Sequence, residues 1–308
     1  MIQRYKSSRL AHPFLNSPTP YYLGWATLFV ILSNISFGTV PYFAKNLTDA
    51  GIAPAAIAFY RFALTSIILS PFLKLEPQHR RTTLVGIGGG MAMGLGWIAY
   101  VAALKTLPVS TVGVIYMTYP AFTLLIGWIV YSDRPKVKAI IASGLILLAS
   151  VIALSPASLD PTALWPALLA FLAPIGFGIA INNLTRVLVK VPPFSRIASV
   201  ALGSVIGIGP LMFTYESAAL LPATANGWWL IVGIALIGAL IPQLIYTTFA
   251  PMIGSARSAM AGAVELPTVF FVGWWAFGEA IGWIEIIAGS LVIISILLTP
   301  AEADEVID

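Results

Sequence analysis

The sequence alternates long apolar runs with short segments that contain charge, proline or glycine. Each run has about 18 to 25 residues, the length that an α-helix needs to cross the hydrocarbon core of a bilayer. The predicted spans 1 to 10 are Tyr22–Ala44, Pro54–Leu73, Thr82–Leu104, Pro108–Tyr131, Val137–Leu154, Thr162–Arg186, Phe194–Tyr215, Gly227–Phe249, Ser255–Phe277 and Ile281–Thr299. The pattern predicts an all-α polytopic membrane protein with ten transmembrane helices.

Spans 4 and 9 share one design. Each has a proline near its middle, Pro120 and Pro267, and the two prolines lie 147 residues apart. Each span is closed by an acidic residue, Asp133 after span 4 and Glu279 after span 9. A proline inside a helix leaves a backbone carbonyl without its usual partner. We therefore interpret Pro120 and Pro267 as matching helix breaks in two copies of one module.

The loop Ser155–Pro161 divides the spans into five and five. An odd number of helices in each half gives the halves opposite orientations in the membrane. The dipeptides Phe37-Gly38 and Phe177-Gly178 also match between the halves. We expect a 5+5 inverted-topology repeat. The predicted regions are a cytoplasmic N-terminal segment 1–20, a first five-helix repeat 21–154, a second repeat 162–299 and an acidic cytoplasmic tail 300–308.

Basic residues set the expected orientation. With the N-terminus inside, thirteen of the sixteen Lys and Arg residues fall on the cytoplasmic side. Lys45 and Lys105 fall outside, and Arg61 lies within a span. This bias follows the positive-inside rule and predicts that both termini are cytoplasmic. We expect a multi-pass integral membrane protein of the bacterial inner (plasma) membrane, with the lipid bilayer as a partner.

Composition excludes several classes of protein. Hydrophobic residues make up 59% of the chain and charged residues only 9%, whereas soluble domains are about 25% charged. There is no cysteine, and His12 and His79 both lie outside the spans. The net charge of +4 fits membrane orientation, so we expect no nucleic-acid partner. No metal site, cofactor or catalytic residue is predicted.

Four stretches resemble the EamA-type branch of the drug/metabolite transporter superfamily. They are SFGTVPYFAKNL in span 1, AFYRFALTSIIL in span 2, AALKTLPVSTVGVIYMTYPAFTLLIGWIVYSDRP across spans 3 to 5, and PTVFFVGWWAFGEAIGWIEIIAGSLVII at the end. The resemblance implies a ten-helix carrier whose central cavity is lined by helices 1–4 and 6–9, with helices 5 and 10 peripheral. It also implies transport of small metabolites, often amino acids or related compounds, and commonly outward.

Two ionisable residues lie well inside spans, where charge is costly and usually functional. Arg61 is about 10 Å from one end of span 2 and Glu265 about 12 Å from the opposite end of span 9, at 1.5 Å per residue. One hypothesis is that Glu265 binds substrate or a proton, and that Arg61 holds either Glu265 or a substrate carboxylate. The alternative is a buried ion pair that only fixes helix packing.

Other polar and aromatic residues are candidates for the cavity lining. The amides are Asn34, Asn182 and Gln243, which either contact substrate or bond neighbouring helices. The aromatics are Trp97, Tyr100, Tyr116, Tyr119 and Tyr246. Tyr116 and Tyr119 are three residues apart and should share a helix face. An aromatic lining suits a substrate with apolar or cationic groups, although ordinary packing is the alternative.

Glycines at 86, 90 and 94 of span 3 and at 203 and 207 of span 7 repeat every four residues. This spacing lets helices approach closely, either as fixed packing or as a sliding contact.

Three functions remain to be compared. The first is a secondary carrier for a small molecule, working by alternating access and not driven directly by ATP, because no phosphate-binding loop is present. The others are an intramembrane enzyme, for which the spans hold no nucleophile with a base, and a channel or non-transporting scaffold. The sequence leaves the oligomeric state open, and a monomer is compatible with it.

Overall fold

Helices account for the regular secondary structure in the computed structural model, which describes residues 20–155 and 160–298. For residues 20–22, 254–257, 259 and 260 it describes the backbone alone. The predicted N-terminal segment, up to residue 19, and the acidic tail lie outside the described residues. The helices are α1 (Pro20–Gly38), α2 (Val40–Asp49), α3 (Pro54–Leu69), α4 (Pro77–Ala103), α5 (Val109–Tyr116), α6 (Tyr119–Tyr131), α7 (Val137–Leu154), α8 (Pro161–Ala170), α9 (Leu172–Arg186), α10 (Pro193–Met212), α11 (Ser217–Leu220), α12 (Ala225–Ala235), α13 (Ile241–Gly262), α14 (Glu265–Phe277) and α15 (Trp283–Leu298).

Eight helical stretches within 20–155 and 160–298 are long and apolar enough to cross a membrane. They run from Leu23–Asp49 to Ala225–Ile253 and correspond to predicted spans 1 to 8. The chain is therefore a polytopic helical membrane protein. The last two predicted spans are shorter in the structure, because α14 has 13 residues and α15 has 16. The structure thus supports eight spans by this measure, and the count of ten stays a prediction.

Predicted spans 8 and 9 are joined by helix rather than by a loop, but the helix is not straight. The Ser258 hydroxyl donates a hydrogen bond to the Ala250 carbonyl at 3.2 Å. Eight residues of straight α-helix rise about 12 Å, which is farther than a serine side chain reaches. Helix α13 therefore bends between these residues, and Pro251 lies inside the bend.

The helices form two groups, flanked by a third pair. Helices α10, α4, α9 and α6 pack side by side in that order, with α3 packed on α10 and α4, and we call α4, α6, α9 and α10 the first group. Helices α1, α13 and α14 form the second group, with α1 packed along α13 and crossing α14. Helices α7 and α15 pack together at the side and leave apolar side chains such as Val137 and Ile287 exposed. That peripheral position for spans 5 and 10 is the one that the family resemblance implied.

Glycines allow the closest contacts inside the first group. A Cβ on Gly90 would collide with the Val200 backbone, and one on Gly203 would collide with the Ile87 carbonyl. The Ser204 hydroxyl also donates to the Gly90 carbonyl at 2.8 Å. The regularly spaced glycines of spans 3 and 7 therefore lie in one interface, where each meets a non-glycine residue of the other helix, and α4 and α10 touch through their backbones.

Two further glycines lie at similar helix crossings. A Cβ on Gly38 of α1 would lie 2.8 Å from the Glu265 carbonyl of α14. A Cβ on Gly178 of α9 would lie 3.0 Å from the Thr123 amide of α6. Each glycine thus lets its helix cross another just beyond a break, and both belong to the Phe-Gly pairs that the sequence matched.

The two ends of the bundle are packed differently. We call the end with the connections after α2, α4, α7, α10 and α14 the Glu279 end, and the other the Asp133 end. The largest buried cluster lies mainly at the Glu279 end and includes Leu47, Ile57, Leu104 and Ile234. At the Asp133 end the core divides, with Val30 and Ala261 in a cluster separate from that of Leu69 and Ile197.

Candidate functional site

Two helix breaks face the interior of the bundle. Helix α5 ends at Tyr116 and α6 begins at Tyr119, while α13 ends at Gly262 and α14 begins at Glu265. Pro120 and Pro267 lie in the first turns of the new helices, where a missing N–H costs nothing. The prolines thus begin new helices instead of kinking continuous ones. Broken helices of this kind form the binding sites of many carriers.

The helices that follow the two breaks end in the same motif. Ser132 and Gly278 both adopt left-handed backbone, with φ of 58° and 66°. The next residue in each case is the acid, whose amide donates to the carbonyl six residues earlier, on Gly127 or Gly273. Asp133 and Glu279 are therefore structural equivalents. Their separation is one residue less than that of the prolines, so in this alignment the counterpart of Glu265 is Tyr119.

Glu265 is the first residue of α14 and is half-buried. A carboxylate is favoured at a helix N-terminus, where the helix dipole is positive. The side chain lies close enough to Arg61, Tyr116, Tyr119 and Tyr246 to interact with each electrostatically. The break before α14 therefore delivers the acid to the centre of the predicted site.

Arg61 is buried, with 7% of its surface exposed. Its guanidinium carbon lies 3.4 Å from the centre of the Trp97 ring, and Nη2 donates to the Gly238 carbonyl at 3.2 Å. Gly238 lies in the π-helical turn Leu236–Leu240, whose altered bonding pattern often marks a functional site. Among the described residues, Nε and Nη1 of Arg61 have no hydrogen-bond partner.

The predicted salt bridge between Arg61 and Glu265 is not formed. Among the described ion pairs within 4.0 Å, none joins these two residues, although they interact electrostatically. Arg61 is held instead by stacking on Trp97 and by the carbonyl of the π-helical turn. The site thus contains an acid and a cation that face the same region without neutralising each other through direct contact.

Aromatic rings connect the four helices α4, α5, α6 and α9 around the acid. Trp97 lies 4.6 Å from Tyr100 and 5.5 Å from Tyr116, measured between ring centres. Phe177 lies 5.6 Å from Tyr116 and 4.9 Å from Tyr119. Tyr116, Tyr119 and Phe177 are only half-buried, so protein does not fill the space beside them. Part of each of these three rings is therefore accessible rather than packed.

Phe177 was not among the predicted site residues. The sequence contained a signal, because Phe177 belongs to a matched Phe-Gly pair, but nothing in it indicated a ring contact with span 4. The tyrosines were predicted to share a face of one helix. They flank a break instead, with ring centres 5.9 Å apart.

The three predicted amides differ in their contacts. Asn34 is buried and donates to the Val30 carbonyl of its own helix at 2.8 Å. Asn182 donates to the Thr123 carbonyl of α6 at 3.0 Å. The sequence allowed substrate contact or bonding to neighbouring helices. Asn34 bonds within its own helix and Asn182 bonds to a neighbouring helix. Gln243 is half-buried on α13, one turn before Tyr246.

Comparison with known proteins places the chain in context. Residues 24–155 match the model of the EamA-like transporter family. An "Uncharacterized transporter" of Archaeoglobus fulgidus is 21% identical over 275 residues, covering 87% of this chain and 94% of that protein. A solved structure described only as "Crystal structure of protein" aligns with a TM-score of 0.60 at 16% identity, over 89% of this chain and 96% of that chain.

The solved structure shows a shared fold alone. The family match and the relative confirm the resemblance to EamA-type transporters and support a membrane transporter.

Proposed function

We propose that the chain is a secondary active carrier that moves a small metabolite, an amino acid or related compound, by alternating access. The single observation that carries the proposal is the group formed by Glu265, Arg61 and the surrounding rings at the helix breaks. The two unpartnered donor nitrogens of Arg61, Nε and Nη1, suit a substrate carboxylate, because a buried charged donor without a partner is costly. Glu265 suits an amine, and Tyr116, Tyr119 and Phe177 suit an apolar side chain.

The topology proposed for this carrier has ten transmembrane helices in two inverted repeats, residues 21–154 and 162–299. The equivalent motifs at Asp133 and Glu279 and the similar glycine crossings at Gly38 and Gly178 support it. The family match to residues 24–155 also agrees with the first proposed repeat.

The carrier is proposed to lie in the bacterial inner membrane with both termini in the cytoplasm, because basic residues concentrate on that side. The Glu279 end is then external and the Asp133 end cytoplasmic. The continuous core at the Glu279 end and the divided core at the Asp133 end support an inward-open conformation. Export is the proposed direction, in keeping with the family resemblance.

Glu265 is the proposed proton-coupling residue. It has the depth, the partial exposure and the helix N-terminal position that proton and substrate binding require. The remaining proposed substrate contacts are Gln243, Tyr246, Trp97 and Tyr100. No enzymatic step or cofactor is proposed, and the partners are the substrate and the lipid bilayer.

A thermal-shift screen of purified protein tests the proposal. Amino acids, polyamines, nucleosides and sugar phosphates are compared at equal concentration. A ligand present at 100 times its dissociation constant stabilises by about 2.7 kcal/mol. We expect stabilisation by amino acids that carry both charged groups, and loss of the shift with amides and esters of the same compounds. Stabilisation by sugar phosphates alone would contradict the proposed substrate class.

A further inference from the structure

Helix α5 begins without a cap from its own segment. Its first residue, Val109, follows Pro108, and no side chain of the flanking residue caps it. The first amides of a helix have no partner inside that helix. Here the partner comes from a distant part of the chain, because the Glu279 carboxylate accepts hydrogen bonds from the Val109 amide and, at 3.0 Å, from the Ser110 amide. An acid at a helix N-terminus is also favoured by the helix dipole.

The local structure around Glu279 positions the carboxylate for this contact. Gly278 takes the left-handed conformation that turns the chain after α14. A Cβ on Gly273 would lie 2.5 Å from Oε2 of Glu279, so glycine there leaves room for the carboxylate. Glu279 is therefore held in place by its own helix end while it caps another helix.

The equivalent acid makes a different kind of contact. Asp133 occupies the same position after α6, but it pairs with Arg186 of α9. Helices α6 and α9 both belong to the first group. The contact of Glu279, in contrast, joins α14 of the second group to the span that contains α5 and α6. The same end motif therefore makes a contact between the two groups at the Glu279 end and a contact inside the first group at the Asp133 end.

We propose that Glu279 is the latch that holds the Glu279 end closed, by capping α5, which packs on α14 of the second group and continues through the break into α6 of the first group. This rests on the proposed alternating access, in which the groups must separate at that end. Separation exposes the Val109 and Ser110 amides and breaks two hydrogen bonds to a charged acceptor. Loss of the carboxylate therefore shifts the protein towards the conformation that is open at the Glu279 end.

The test measures the distance between the groups directly. The chain has no cysteine, so a spin-label pair can be placed at Lys105→Cys and Ile281→Cys, both at exposed positions of the Glu279 end. The distance between the two spin labels is measured by pulsed electron–electron double resonance in liposomes for the parent, Glu279→Gln and Glu279→Ala. We expect the population with the longer distance to rise roughly tenfold in the variants, as the loss of a hydrogen bond to a charged group predicts.

Asp133→Asn is the matched control, because it alters the equivalent acid without touching the contact between the two groups. It should leave the distance distribution as in the parent. Glu279→Asp should lie between the parent and Glu279→Ala. An unchanged distribution in folded Glu279→Gln, or equal widening by Asp133→Asn, overturns the latch. Widening in a protein that transports none of the candidate substrates supports the latch and counts against the proposed carrier instead.

Discussion

Arg61→Met separates a substrate-binding arginine from a structural one. The change removes the guanidinium and keeps an unbranched apolar side chain. It sacrifices the hydrogen bond to Gly238, about 1.5–3 kcal/mol, and the stacking on Trp97, about 2 kcal/mol. It also removes two buried donor nitrogens without partners, each of which costs roughly 1–3 kcal/mol. These contributions nearly cancel, so the stability of the empty protein should change by less than about 2 kcal/mol.

Substrate affinity should respond very differently to Arg61→Met. If a substrate carboxylate accepts from one of the unpartnered nitrogens, Nε or Nη1, the lost interaction is about 2 kcal/mol, or roughly 30-fold in dissociation constant. Isothermal titration with the amino acid found by screening measures the affinity, and thermal unfolding of ligand-free protein measures the stability. Arg61→Lys is the control that keeps the charge but loses the planar fork, and it should bind weakly as well.

A purely structural Arg61 predicts the opposite pattern. In that case the hydrogen bond to Gly238 and the stacking on Trp97 stabilise the empty protein by about 3.5–5 kcal/mol together, and the unfolding temperature of empty Arg61→Met should fall strongly. A structural role is shown if that drop occurs while folded Arg61→Met binds the amino acid as tightly as the parent.

Three more predictions follow from packing and from the exposed ion pair. Gly90→Ala should lower stability by at least about 3 kcal/mol, because its Cβ would strike the Val200 backbone. The control is Gly88→Ala, whose Cβ meets nothing within 4 Å and which should be neutral or slightly stabilising. Thermal unfolding compares the two variants. Phe177→Ala should weaken substrate binding about tenfold by removing its ring contacts, whereas Phe177→Leu should cost less in the same titration. Asp133→Asn should change stability by less than about 1 kcal/mol in chemical unfolding, because the pair that it breaks is 35% and 45% exposed.

Much of the fold follows from the chain pattern, because spanning length and charge separation act locally. The first eight spans correspond to the predicted ones, and Pro120 and Pro267 do mark interruptions. The exact form of the interruptions depends on packing. A proline is equally compatible with a kink or with a new helix, and only tertiary contacts decided that α6 and α14 begin anew. The helical path across Pro251 escaped prediction for the same reason.

The site was predicted in its residue types more than in its contacts. Arg61 and Glu265 stood out because charge inside a span is rare. The sequence did not predict that the two side chains would lie apart without an ion pair, since it carries no sign of the π-helical turn that holds Arg61. Phe177 belongs to a common residue type in membrane helices, and its ring contacts depend on how α9 crosses α6. Asp133 and Glu279 were recognised as span-closing acids, but their different partners arise from contacts between distant segments.

Transport by Glu265→Gln in proteoliposomes is the sharpest test of proton coupling through Glu265. The side chain keeps its shape and loses its titratable proton. Purified protein is reconstituted with a pH gradient, and uphill movement and substrate exchange of the identified amino acid are measured side by side. The account predicts that Glu265→Gln loses uphill transport but retains exchange. Uphill transport equal to that of the parent, driven by the same gradient, would contradict it.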